Sequence, residues 1–285
     1  MALQFAPQLA FHGFDTHAKP KWQMVPFGGQ RVLTVTGAAG LDLRVLDPAV
    51  VDARQTMVGG VATLTLRGVK PGKTAVEWIK PGVSAKPATR GFRLDISVKR
   101  ERQVRTAFFY VDDGRKQKTV RKIADLPDLV LQANTILLLQ ANVLIVQRSA
   151  ATLPVKLNLG KVVRFSAHLT GAPDKIPIAQ HEWDDLLKLR DKAANLNVFF
   201  VKEYEDDNTP FVDSAEAGTL AGEKMCVFED SLGHPDHEVL AHEAVHALGV
   251  SGHVPDATYL MAVGDKGIGR FISRAQSNKI NPSGT

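Results

Sequence analysis

Apolar residues recur at two different periods along this chain, and the change of period divides it. Between residues 30 and 100 the runs RVLTVTG, LDLRVLD, VATLTLRG, KTAVEWIK and FRLDISVKR alternate apolar with polar positions, the period of a half-buried strand. Glycine or proline separates most of them. Five such runs with no long helical pattern between them predict a small antiparallel sandwich. After Arg100 the pattern changes. VRTAFFYVDD, ANVLIVQRS, LNVFFVKEY and KMCVFED read as strands, and DLPDLVLQANTILLLQ and QHEWDDLLKLRDKAAN as helices, the latter with Leu186, Leu187 and Leu189 on or near one face. Strands alternating with helices predict an α/β layer. The switch gives two domains, 1–103 and 104–285, and an α+β fold class: an all-β sandwich followed by an α/β domain.

Composition adds exclusions. With 285 residues, 44% hydrophobic and 23% charged, the chain is an ordinary globular protein. Its longest apolar stretch, LVLQANTILLLQANVLIV, is interrupted by Gln132, Asn134, Gln140 and Asn142, so it reads as a core helix running into a strand and predicts no membrane insertion. A net charge of +5 invites a nucleic-acid partner. The basic residues are dispersed, however, and the largest cluster, VKRERQVR, is broken by Glu101 and Gln103. It reads as a solvated surface at a domain junction, and no nucleic-acid partner is expected. A single cysteine, Cys226, excludes an intrachain disulfide and reads as an inert, half-buried thiol. The N-terminal MALQFAPQLAFHGFDTHAK has neither the basic start nor the apolar segment of a secretory signal. A mature form, an internal protein, and export by a signal-independent route all fit that.

The candidate chemistry lies in HPDHEVLAHEAVHALG, residues 234–249, which predicts a third helix. Pro235 suits its first turn, Asp236 and Glu238 the positive end of its dipole, and Gly249 the left-handed position that stops it. Four residues apart, His242 and His246 lie about 40° apart around the axis, so both imidazoles can reach one ion. Glu243 is placed to polarise a water held there instead of ligating the metal. Ala241, Val245 and Leu248 form the opposite, apolar stripe. His234 and His237, before the helix or in its first turn, read as capping or surface groups. The acidic KEYEDDN, with Glu203, Glu205, Asp206 and Asp207, lacks the ligand spacing and glycine of a calcium loop and reads as a solvated turn.

These residues resemble the metzincin family of zinc endopeptidases. The family motif HExxHxxGxxH is matched from His242 through Gly249, and its methionine turn by Met261 in ATYLMAVG. GIGRFISRAQSNKIN looks like the family's closing helix. The family would place its third ligand at position 252, which is Gly252 here, with His253 one residue later. A loop after Gly249 can absorb one extra residue, and Gly252 permits the bulge. The resemblance therefore implies a Zn2+ site of His242, His246 and His253, with Asp256 as the alternative third ligand. It also implies Glu243 as general base, Met261 as a floor beneath the histidines, and a protein or peptide substrate extended along KMCVFED as the edge strand. A tyrosine that some members carry two residues after the methionine is Val263 here, and Tyr259 is a weak substitute. GVKPGKTAVEWI and FRLDISV are similar to bacterial immunoglobulin-like domains. Two other readings stay open: a binding or structural module with a degenerate zinc site, and a toxin-like protease effector delivered through its N-terminal domain.

Overall fold

The structure, a computed structural model, describes residues 3–9, 11–82, 92–154, 159, 163–164, 182–205, 217–219, 224–230, 233–262 and 269–283. The chain forms two compact units that interleave in sequence. One comprises Met1–Arg102, Ile136–Leu144 and Arg270–Thr285; the other comprises Gln103–Thr135 and Ile145–Gly269.

In the first unit, strands β1 (Gln4–Pro7), β2 (Phe14–Asp15), β3 (Lys21–Pro26), β4 (Gln30–Thr36), β5 (Asp42–Val45), β6 (Val51–Val58), β7 (Val61–Gly68), β8 (Gly72–Ile79) and β9 (Arg93–Lys99) build two sheets. Their orders are β1-β4-β7-β6 and β2-β3-β9-β8-β5. Strand β7 shows the predicted alternation, with Ala62, Leu64 and Leu66 fully buried. These side chains share one core with Leu33 and Val35 of their own sheet and with Val25, Val76, Leu94, Ile96 and Val98 of the other, the construction of a β-sandwich. All five predicted strands are present as β4, β5, β7, β8 and β9. Two of the others escaped the sequence reading for opposite reasons. β3 is buried at four consecutive positions and so shows no alternation, whereas β6 is largely exposed over its second half. β3 also pairs parallel with β9, so the sandwich is not purely antiparallel.

A single boundary near residue 103 does not describe the chain. Helix α4 (Arg274–Ile280) belongs with the first unit because its polar groups find their partners there. Lys99 Nζ donates to the carbonyls of Ser277 and Asn281 at 2.7 and 2.6 Å, and Arg102 donates to that of Ile280. Arg274 N and its guanidinium reach Asp15 and Asp95, each at 2.8 Å. Asn281 Nδ2 donates to the carbonyls of Arg100, Ala141 and Asn142. The basic cluster is thus not wholly a solvated surface. Arg100, Arg102 and Arg105 are exposed, but Lys99 is completely buried.

Burial, with a smaller contribution from Lys73, pushes the Lys99 ammonium down to about 7. Its folded pKa therefore lies below the unfolded value, and the unfolded chain binds more protons between the two. Unfolding free energy is expected to rise with pH from about 7 toward 10.5, by at most about 1.4 kcal/mol per pH unit. Urea midpoints at pH 7 and pH 9 check this, and Lys99→Met should flatten the rise; an equal rise in that variant would assign it to other groups.

The second unit contains β10 (Arg102–Asp112), most of α1 (Leu126–Ala141), β11 (Val143–Pro154), β12 (Val163–Arg164), α2 (Glu182–Lys188), β13 (Leu196–Phe200), β14 (Tyr204–Glu205), β15 (Ala217–Thr219), β16 (Met225–Phe228) and α3 (Asp236–Ala247). Its main sheet has the order β11-β10-β13-β16-β15. β10, β13 and β16 run parallel, with Phe199 opposite Phe109 and Val227, and β15 is antiparallel to β16. Every residue of β13 and β16 is buried, the signature of strands covered on both faces. The expected edge strand is corrected here: β16, the KMCVFED strand, is interior, and among the described residues β15 is the edge. Helix α2 is shorter than predicted, ending at Lys188, so Leu189 lies in the following turn and is exposed. The apolar stretch is a helix running into a strand, as predicted. Among the described residues no helix is long and apolar enough to cross a membrane.

Candidate metal centre

Helix α3 carries the first two histidines and begins with Asp236 and Glu238 in its first turn. Pro235 stands at its N-cap, one position before the predicted first turn, and Arg121 pairs with Asp236. The helix is stopped at Gly249, whose φ of +105° suits glycine. Gly249 N donates to the His246 carbonyl at 2.8 Å and Val250 N to that of Val245 at 3.2 Å. This double bond pattern, with Leu248 as C-cap, is a Schellman termination. Gly252, φ +87°, supplies the second left-handed residue, and the predicted extra loop position is accommodated there. The loop then returns, with Val254 N donating to the Met261 carbonyl at 2.8 Å.

This loop brings His253 onto the helix. The Nε2 atoms of His242, His246 and His253 form a triangle 3.1 Å on each side. Nδ1 of His242 lies 2.6 Å from the Leu260 carbonyl and Nδ1 of His246 2.7 Å from the Val250 carbonyl. A carbonyl only accepts, so both Nδ1 atoms carry the proton and both Nε2 atoms present lone pairs. Burial foremost, then the neighbouring imidazoles, pushes His242 down to about 3, and burial holds His246 and His253 below the ordinary imidazole value. Neutral imidazoles with converging lone pairs repel one another unless a cation lies between them. Tetrahedral bonds of about 2.0–2.1 Å would set the nitrogens about 3.3 Å apart, close to the spacing found. The donor set therefore fits zinc, and the carbonyls fix ligand orientation in the manner of a metal's outer shell. Among the described residues this is the group of histidine, cysteine or acidic side chains that could hold a metal.

Glu243 is buried, and its Oε2 has no hydrogen-bond partner among the described residues. Burial pushes its carboxyl up to about 7, and the Thr219 hydroxyl works in the opposite direction. Met261 is fully buried, one residue beyond the carbonyl that orients His242. Asp256 is not in the histidine group; its Oδ1 accepts from Thr258 N and Oγ1 at 2.9 and 2.7 Å. Tyr259 acts through its carbonyl, which accepts from Ala262 and Gly269. Val263, Asp206 and Asp207 lie outside the described residues. Cys226 is fully buried, not half-buried, and burial first and Glu243 second keep its thiol protonated.

Thr219 was missed by sequence reasoning. It ends a strand of three residues, Ala-Gly-Thr, too short to show a period. The only local signal is Gly218, where a Cβ would fall 2.2 Å from the buried Tyr204 hydroxyl, so the strand lies directly on that ring.

No family model matches this chain, and no curated protein matches it. The likenesses to solved structures include two distant ones. One is to metalloproteinase-II from Bacteroides fragilis, at 12% identity over 90% of this chain and 84% of that one, with a TM-score of 0.36. The other is to the S-layer protein rSbsC, at 10% identity over 33% of this chain, with a TM-score of 0.23. This chain spans 13% of that S-layer protein's length. TM-scores this low establish neither a shared fold nor a shared activity.

Proposed function

We propose that this chain is a zinc-dependent endopeptidase of metzincin type, hydrolysing peptide bonds in extended segments of protein substrates. The observation that carries the reading is the convergence of three neutral imidazole nitrogens at 3.1 Å, with a buried, incompletely bonded carboxyl at the next position of the same helix. Bound zinc would supply Lewis acidity toward a water and toward the substrate carbonyl. The protein does the rest. Glu243 takes a proton from the attacking water at its carboxylate and hands it to the leaving amine nitrogen, and a carboxyl raised toward neutrality is suited to both transfers. Leu260 and Val250 hold His242 and His246 in the tautomer that faces the ion. Strand β15 (Ala217–Thr219), the edge of its sheet among the described residues, would be where an extended peptide adds. Met261, buried behind the loop, would be the floor under the imidazoles.

Elemental analysis of the purified full chain tests the centre. One zinc per chain is expected, and His253→Ala should lower that occupancy at least tenfold at equal free zinc. Zinc unaffected by the substitution would move the third ligand elsewhere. A wild-type chain that takes up no zinc on reconstitution would remove the peptidase reading altogether.

A further inference from the structure

The layer between α3 and the sheet edge contains two buried oxygens, Thr219 Oγ1 and Glu243 Oε2, that have no hydrogen-bond partner among the described residues. Native interiors rarely keep such atoms, and each requires a reason. Here they come from adjacent elements. Thr219 closes edge strand β15 and stands opposite Cys226 in the register with β16, and α3 packs on both strands. The Thr219 hydroxyl is near enough to act on both the Glu243 carboxyl and the Cys226 thiol. The thiol is a weak acceptor, which leaves the carboxylate as the better destination for the hydroxyl proton.

We propose that Thr219 is a positioning residue for Glu243: a rotation of its hydroxyl pairs these two oxygens, fixes the side chain, and ties the general base to the strand along which substrate would lie. The catalytic part of this rests on the peptidase reading, whereas the contact itself does not. A threonine chosen only for its fit to a strand would be replaceable by valine, which keeps the branched shape and loses the hydroxyl.

Two measurements on the full chain separate these cases. With zinc-loaded protein and reduced, carboxymethylated casein as probe, Thr219→Val should lower kcat about tenfold or more with KM and zinc content unchanged, as misplacement of a reacting group does. Thr219→Ser should restore kcat to within about twofold, because it keeps the hydroxyl. Wild-type kcat in Thr219→Val overturns the proposal. The second measurement needs neither metal nor substrate: urea midpoints of Thr219→Val in the wild-type and Glu243→Leu backgrounds. A destabilising shift that shrinks by more than half in the Glu243→Leu background is expected, since only the wild-type background retains an oxygen to accept the hydroxyl proton. Equal shifts in both overturn the contact. If zinc-loaded wild type does not cleave casein, that failure belongs to the peptidase reading, and the urea cycle alone decides on Thr219.

Discussion

Glu243→Gln is expected to lower kcat/KM for casein hydrolysis by about 10²–10⁴-fold, the usual contribution of a positioned general acid–base, while one zinc per chain remains. The two halves of this expectation have separate causes. Metal retention follows because the group that could hold an ion consists of His242, His246 and His253 and does not include the carboxyl. Loss of turnover follows because an amide cannot take the proton of the attacking water, although it fills the same volume. Folding should survive, since the substitution replaces a buried acid with a neutral side chain of equal size. Proteolysis assayed beside elemental analysis reads both. Retained turnover would end the assigned role of Glu243; loss of zinc would make it a ligand.

A chain beginning at residue 104 is expected to fail to fold to its full extent. Although the first unit looks from the sequence like a detachable module, Ile136–Leu144 and Arg270–Thr285 are parts of it. Removing the first hundred residues takes away Lys99, Asp15 and Asp95, and with them the partners of the Ser277 and Asn281 carbonyls and of the Arg274 backbone N–H and guanidinium. It also strips the sandwich from the end of α1 and from α4, leaving the apolar Ile136, Leu137, Ile272 and Ile280, all buried in the full chain, to find another cover. Broad, non-cooperative thermal unfolding of the fragment by circular dichroism, against a cooperative transition in the full chain, is the expected result. A fragment that melts cooperatively would show that the segments fold without the sandwich.

What could be read from sequence followed the range of the interactions. His242 and His246 are one helical turn apart, and His253 follows through a loop of only a few residues, so local geometry sufficed to bring the three together as candidates. Strands β4 and β7 of the sandwich were legible for the same reason, each alternating a wet with a dry face. Long-range pairing was not legible. The fully buried MCVF of β16 announces a strand without saying how many neighbours it has, and the three-residue β15 that covers its edge has no pattern to announce. Lys99 looked like a member of a wet basic cluster because nothing in VKRERQVR marks which cation meets the carbonyl end of a helix almost 180 residues away. Thr219 escaped for a similar reason, since its partner lies on a helix and its own segment resembles a loop.

The loop from Gly249 to Met261 has a kinetic consequence. His242 and His246 ride on a stiff helix, whereas His253 arrives on a segment whose two ends are fixed by Gly249 and by the Val254–Met261 hydrogen bond. Capture of an ion would therefore proceed in two stages, an encounter with the helical pair followed by closure of the loop. Escape would run in reverse, so the residence time of a metal held there would be set by how often that loop opens and not by helix unwinding. Because Leu260 on the same loop also orients His242, one opening event would loosen two of the three histidines at once.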